Sequence, residues 1–267
     1  MILGGPSRAA LQTAPAAGCG TLRAMDSLRI AAWSGPRNIS TAMMRSWGNR
    51  ADCAVADELL YAHYLQATQL DHPGRDEVIA AGDTDAERVV ASLVEGPVPG
   101  NKPLWYQKHM AHHLLPEMSL HWVHALRSFL LIRDPALVVA SYLKSRDRVT
   151  PADIGLHRQL ELFERIADRQ GRAPPVVDAE RFLRDPRGQL ERLCSGLGIA
   201  FDARMLSWPA GPRASDGVWA RYWYEAVWRS TGFEPWRPRT GVLGGEALRV
   251  AEACRPAYER LLAHALD

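Results

Sequence analysis

Lysine is nearly missing from this chain of 267 residues: Lys102, Lys108 and Lys144 stand beside 29 arginines. A G+C-rich genome, whose codons favour Arg, Ala, Gly and Pro together, produces such a bias, so most of the arginines carry no functional message. Charge of one sign is also lacking, since 32 basic residues face 30 acidic ones and leave a net +2. A nucleic-acid or anionic-surface partner recognised by bulk charge is therefore not expected. Cys19, Cys53, Cys194 and Cys254 contain no Cys-x-x-Cys pair, which excludes a zinc ribbon and a dense disulfide framework and makes a reducing cytoplasm the simplest setting. No apolar run approaches the roughly 20 residues of a membrane span. Asp and Glu are absent from the first 25 residues, yet the basic start and apolar stretch of a secretory signal are absent too. Residues 1–27 are thus expected to be a flexible extension or a mis-assigned start, with Met25 just ahead of the first strand, and residues 28–267 a single domain.

What remains is an ordinary globular composition, 47% apolar and 23% charged, and the order of its elements is informative. Residues 28–33 (LRIAAW) read as a short buried strand, broken at Ser34-Gly35-Pro36 and followed by helical spacing over 39–47. Further strands are predicted at 53–56, 104–107, 128–132 and 176–177. Helices are predicted through Tyr61, Tyr64 and Leu65, over 86–94, from Pro135 to about 146, and over 190–197 with Gly198 as the stop. Strands alternating with helices predict an α/β fold of P-loop type, a mostly parallel sheet flanked by helices, with ligands at the C-terminal strand ends.

The first strand runs into Ser34-Gly35-Pro36-Arg37-Asn38-Ile39-Ser40-Thr41 and then a helix. Backbone N–H groups and a helix N-terminus meet there and suit an anion, with the Arg37 guanidinium and the Ser40 and Thr41 hydroxyls as added donors. The Gly-Lys-Ser/Thr ending of a nucleotide triphosphatase loop is lacking. Two later segments, FLLIRDPALVVASYLKSR at 129–146 and DAERFLRDPRGQLERLCSGLG at 178–198, complete an ordered set. With the loop, they resemble the sulfotransferase family, over about residues 28–267.

The resemblance implies a transferase that uses 3′-phosphoadenosine 5′-phosphosulfate as co-substrate, with no metal. It implies that Ser34, Gly35, Pro36, Arg37, Asn38, Ser40 and Thr41 form the 5′-phosphosulfate loop, and that Arg133 and Ser141 hold the 3′-phosphate. Arg239, in a loosely matching Arg-Thr-Gly segment, is the last donor contact. The family's loop usually has Lys where Arg37 stands and Gly where Ile39 stands. Relatives also occur joined to aminotransferase-like domains, but no cofactor-lysine context for that activity is seen in this sequence.

Sulfuryl transfer needs a base for the acceptor and donors for the departing phosphate. Glu58, in VADELLYAHYL, matches the base of the bacterial and protein-tyrosine branches, and its alternative is an ordinary first-turn Glu favoured by the helix dipole. Gln107-Lys108-His109 resembles the Lys-x-His segment of the cytosolic branch, with His109 as the second candidate base and Lys108, rare by count, as a contact to the transferring group. Five of the nine histidines lie within 109–124, but no neighbouring pattern completes a zinc site, so they are read as core or acceptor-pocket residues. Trp219, Tyr222 and Trp223 are spaced for one helical face, and with Trp236 they suit either a core or an aromatic lid. Two rival readings are a P-loop kinase or triphosphatase with Asp134 as magnesium ligand, and a non-catalytic nucleotide-binding relative. The acceptor and the oligomeric state are not legible.

Overall fold

The computed structural model describes Met1, residues 27–238 and residues 242–267. Most of the proposed extension, and Arg239, therefore lie outside the described residues. Five strands form one parallel sheet in the order β2-β3-β1-β4-β5: β1 (Leu28–Ser34), β2 (Cys53–Asp57), β3 (Leu104–Met110), β4 (Arg127–Ile132) and β5 (Val176–Asp178). The helices are α1 (Ser40–Gly48), α2 (Tyr61–Thr68), α3 (Arg75–Ala81), α4 (Ala86–Glu95), α5 (Pro135–Tyr142), α6 (Pro151–Ile154), α7 (Leu156–Gln170), α8 (Ala179–Arg184), α9 (Pro186–Gly196), α10 (Ala220–Trp223), α11 (Glu225–Arg229) and α12 (Gly245–Leu262).

Strand alternation divides the core in two. Ala31, Trp33, Leu130, Ile132 and Val176 pack with α4, α7 and α12 on one face. Ile30, Ala32, Phe129, Leu131 and Val177 pack with α1, α2 and α9 on the other. The chain leaves β1 towards β2 and leaves β4 towards β5, so the neighbouring strands β1 and β4 send their following loops in opposite directions and open a crevice at their C-terminal ends.

Two boundaries differ from expectation in ways that matter. Strand β3 runs three residues past Gln107 and pairs with β1 along its whole length, from Leu28 with Leu104 to Ser34 with Met110. Helix α5 stops at Tyr142, where the Ser145 hydroxyl and amide both bond the Tyr142 carbonyl. Its start follows the expected logic: Asp134 caps the Ala136 N–H at 2.8 Å and Pro135 occupies the first turn.

Candidate active site

A cavity of about 640 Å³ lies over the C-terminal strand ends. Its walls come from the loop after β1, from Arg133 and Ser141 after β4, from Glu58 and Lys108, and from the aromatic segment 219–236. The loop is held from behind. Gly35 lies so close to α6 that a Cβ would sit 2.5 Å from the Ile154 carbonyl oxygen. Ser34 is buried and donates to the Gly35 carbonyl. Neither residue lines the cavity; both support the loop from behind. Asn38 does line it, but its amide donates to the Leu131 carbonyl at 3.0 Å and its Oδ1 accepts from the Ile39 N–H. The Leu131 carbonyl takes a second amide: buried Gln159 of α7 donates to it at 3.0 Å and to the Trp33 carbonyl at 2.9 Å.

Pro36, Arg37, Ser40 and Thr41 face the cavity. Arg37 adopts a left-handed backbone, φ 55°, an uncommon conformation for a side chain of this size. Its Nε donates to the Ser141 hydroxyl at 3.1 Å, and Arg133 donates to its carbonyl at 2.5 Å. Two segments distant in sequence, the loop after β1 and the one after β4, are thereby gathered at one spot. Helix α1 begins with neither a side-chain cap nor an acidic residue in its first turn, which leaves its N-terminal dipole to whatever anion the cavity receives. Asp134, the magnesium ligand of the kinase reading, is committed elsewhere: besides its cap, it accepts from Arg255 at 2.7 and 3.3 Å.

The opposite wall is a buried ionic cluster. The Lys108 ammonium donates to Asp57 Oδ1 at 2.9 Å, Glu58 Oε1 at 2.5 Å and the Tyr224 hydroxyl at 2.5 Å. An ammonium has three N–H bonds, so all three are engaged, and the side chain is 0% exposed. Burial opposes its charge, but Asp57 and Glu58 outweigh burial and hold its pKa well above the ordinary lysine value. Burial pushes the Glu58 carboxyl up; Lys108 pulls it back and Asp57 adds to the rise. Glu58 also has a left-handed backbone, φ 46°, and opens the turn before α2 instead of sitting within a helix.

His109, the second candidate base, is not brought to the cavity. Because β3 continues through it, His109 points to the face opposite Lys108, away from the cavity lining. Its register partner in β1 is Trp33, and the two rings stack at 4.5 Å. The Gln107 amide donates to Leu93, so its Oε1 is the acceptor for His109 Nε2 at 3.3 Å; burial lowers the ring's pKa to about 3. His112 and His113, in the 3-10 turn after β3, do line the cavity, with Tyr61, His72 and Met110. Burial lowers His112 to about 3, His72 to about 4 and His113 well below its ordinary value, so this wall is neutral. Among the described residues no group of His, Cys, Asp or Glu is arranged to hold a metal ion. No helix among them is long and apolar enough to cross a membrane.

The aromatic segment is not the single helical face that its spacing predicts. Helix α10 has four residues; Trp219 and Trp223 reach the cavity while Tyr222 is 40% exposed. Two carboxylates pin the segment. Asp216 pairs with buried Arg45 of α1 at 2.7 Å and accepts from Trp228, and Asp57 accepts from Tyr224 and the Gly217 N–H. Asp57 and Tyr224 are the functional neighbours that sequence reasoning missed; the Asp-Glu pair at a strand end was a signal for the first.

The profile of the sulfotransferase domain family matches residues 28–265 of this chain. The chain belongs to the sulfotransferase family. Its function is accordingly sulfotransferase-like, that of a transferase enzyme. Among solved structures, the sulfotransferase from Alicyclobacillus acidocaldarius is similar at 15% identity, with a TM-score of 0.53 over 88% of this chain and 94% of that one. The sulfotransferase domain of the Synechococcus PCC 7002 olefin synthase is similar at 19% identity, with a TM-score of 0.51 over 92% and 100%. Both likenesses are of fold. Two curated relatives are the branched-chain-amino-acid aminotransferase-like proteins 1 and 2 of Arabidopsis thaliana, 37% and 34% identical over 240 and 238 residues. The matched region is 88% of this chain but 42% and 41% of those proteins, so the sulfotransferase chain spans about two fifths of their length.

Proposed function

We propose that the enzyme transfers a sulfuryl group from 3′-phosphoadenosine 5′-phosphosulfate to a hydroxyl or amine acceptor. The observation that carries this reading is that one cavity gathers Arg37, Arg133 and Ser141 beside the open α1 N-terminus on one wall, and the Glu58 carboxylate on another. The donor set suits a nucleotide with two phosphate-bearing ends: guanidinium forks, hydroxyls and a helix terminus are all anion ligands. The aromatic rings of Trp219, Trp223 and Trp236 supply flat apolar wall for a base or an aromatic acceptor.

In the proposed step Glu58 takes the proton of the acceptor as its oxygen or nitrogen attacks sulfur. The new bond to sulfur forms while the bridging bond from sulfur to the phosphate oxygen breaks. The electron pair leaves with 3′,5′-bisphosphoadenosine. Arg37, Ser40, Thr41 and the α1 N-terminus oppose the charge that grows on the departing phosphate. Lys108, with each N–H engaged, holds Glu58 in place and does not contact the sulfuryl group.

The test is thermal denaturation and calorimetry with 3′,5′-bisphosphoadenosine, followed by sulfuryl transfer to a panel of alcohols, phenols and amines. At a hundredfold excess over the dissociation constant, bound nucleotide adds about 2.7 kcal/mol of stability and raises Tm. An unchanged Tm at saturating nucleotide overturns the donor assignment. Tight nucleotide binding with no transfer to any acceptor favours the non-catalytic reading instead.

A further inference from the structure

We propose that Asp57 is a positioning residue: it holds Lys108 on the cavity floor and thereby makes Glu58, and not a shared carboxylate pair, the proton acceptor. This rests on the proposed role of Glu58. Asp57 and Lys108 are register partners in the neighbouring parallel strands β2 and β3, so their side chains leave the same face at the same level. Lys108 Nζ lies 2.9 Å from Asp57 Oδ1 and 2.5 Å from Glu58 Oε1. One ammonium thus serves two adjacent carboxylates in a site where all three side chains are at least nine-tenths buried.

The two carboxylates are not equivalent. Asp57 accepts on both oxygens, from Lys108, from the Tyr224 hydroxyl at 2.9 and 2.8 Å, and from the Gly217 N–H at 3.3 Å. It does not line the cavity. Glu58 does line it, and its contact within the cluster is the bond from Lys108 to Oε1. Donors crowd on the inner carboxylate and hold it as the anion, while the outer one faces the cavity with the Lys108 ammonium as its one partner in the cluster. Protonating Glu58 takes the Asp57–Lys108–Glu58 set from one net negative charge to none, which favours proton uptake at the cavity wall in a buried site.

Two of the donors to Asp57 come from the segment that carries Gly217 and Tyr224, so seating of that segment completes the device. The titratable groups around Glu58 are Asp57 before it, Lys108 of β3, Tyr61 of α2 and Tyr224 of the aromatic segment, with His113 beside Lys108 and Arg146 beyond Tyr61.

The experiment compares the full chain with Asp57→Asn and Tyr224→Phe, measuring kcat/KM for transfer against pH. In parallel, infrared difference titration follows the carboxyl band that disappears in Glu58→Gln. With Asp57→Asn, the acid limb of the rate profile and the Glu58 carboxyl titration move to lower pH together, by at least about one unit. The KM for the nucleotide donor stays within about twofold, since Asp57 lies outside the cavity lining. Tyr224→Phe gives a smaller displacement, and stands in for Asp57→Asn should that variant fail to fold. A carboxyl titration that does not move in a folded variant overturns the proposal. Because the infrared readout needs no turnover, a chain that titrates as expected but transfers no sulfuryl group would sink the proposed activity and leave the positioning of Glu58 standing.

Discussion

The two walls of the cavity treat their cations in opposite ways. On the β1–β4 side, Arg37 is oriented by a neutral hydroxyl, that of Ser141. On the β2–β3 side, Lys108 is enclosed by two carboxylates and a phenol. A neutral acceptor aims a guanidinium and leaves its charge for an arriving anion; paired carboxylates consume an ammonium's charge and keep it at home. The same residue class is thus left with its charge open on one wall and internally paired on the other, and the lesson is that a basic residue in a motif has to be read together with its partners.

The largest expected break in this contrast is Glu58→Gln, which should lower kcat by about 10²- to 10⁴-fold while calorimetry shows nucleotide affinity unchanged. For the unsubstituted enzyme, burial and Asp57 place the acid limb of kcat/KM above the usual glutamate range, with activity falling as pH drops through it. Lys108→Met leaves two buried carboxylates without their cation. It should destabilise the fold by about 3–5 kcal/mol in chemical denaturation, far more than an engaged surface lysine would. Arg37→Ala should weaken 3′,5′-bisphosphoadenosine binding roughly ten- to a hundredfold, as loss of a charge-assisted contact implies, and leave the acid limb where it was. Movement of that limb would mean that the two walls are electrically coupled after all.

His109→Phe should have the smallest kinetic effect, within about twofold in kcat/KM, because the ring keeps its stack on Trp33 and lies outside the cavity lining. A loss matching that of Glu58→Gln would restore His109 as base. The variant should nevertheless change acid sensitivity. The folded-state pKa of His109 is lowered, to about 3, so its neutral form stabilises the fold at neutral pH, and that contribution falls away as pH drops below the unfolded value near 6.5. Removing it should flatten the decline of Tm between pH 7 and pH 5.

The proposed donor wall was more legible in the sequence than the proposed acceptor wall, for a physical reason. A loop-then-helix anion site and a strand ending in Arg133-Asp134-Pro135 are local patterns, and Pro135 and the Asp134 cap announce where the helix begins. The strand positions and five of the helices follow from similar local signals, whereas the strand order rests on long-range pairing and was not read. What failed was strand length: ending β3 at Gln107 places Lys108 and His109 together at a strand end, whereas three further paired residues set them on opposite faces. Tyr224 was missed because nothing near it in sequence shows that its hydroxyl meets a lysine 116 residues away. Ser34 and Gly35 belong to the motif but lie off the cavity lining, where close packing against α6 fixes the loop's shape.

The Gln159 amide, bonded to the carbonyls of Trp33 and Leu131, spans the tips of β1 and β4 where their loops diverge. In mechanical terms it is a spacer bar across the mouth of a wedge. Separating the two strand tips has to break at least one of these bonds, so the side-chain amide protons of this glutamine should time the opening. Their exchange with deuterium would report how often these strand tips part, independently of whether anything is bound.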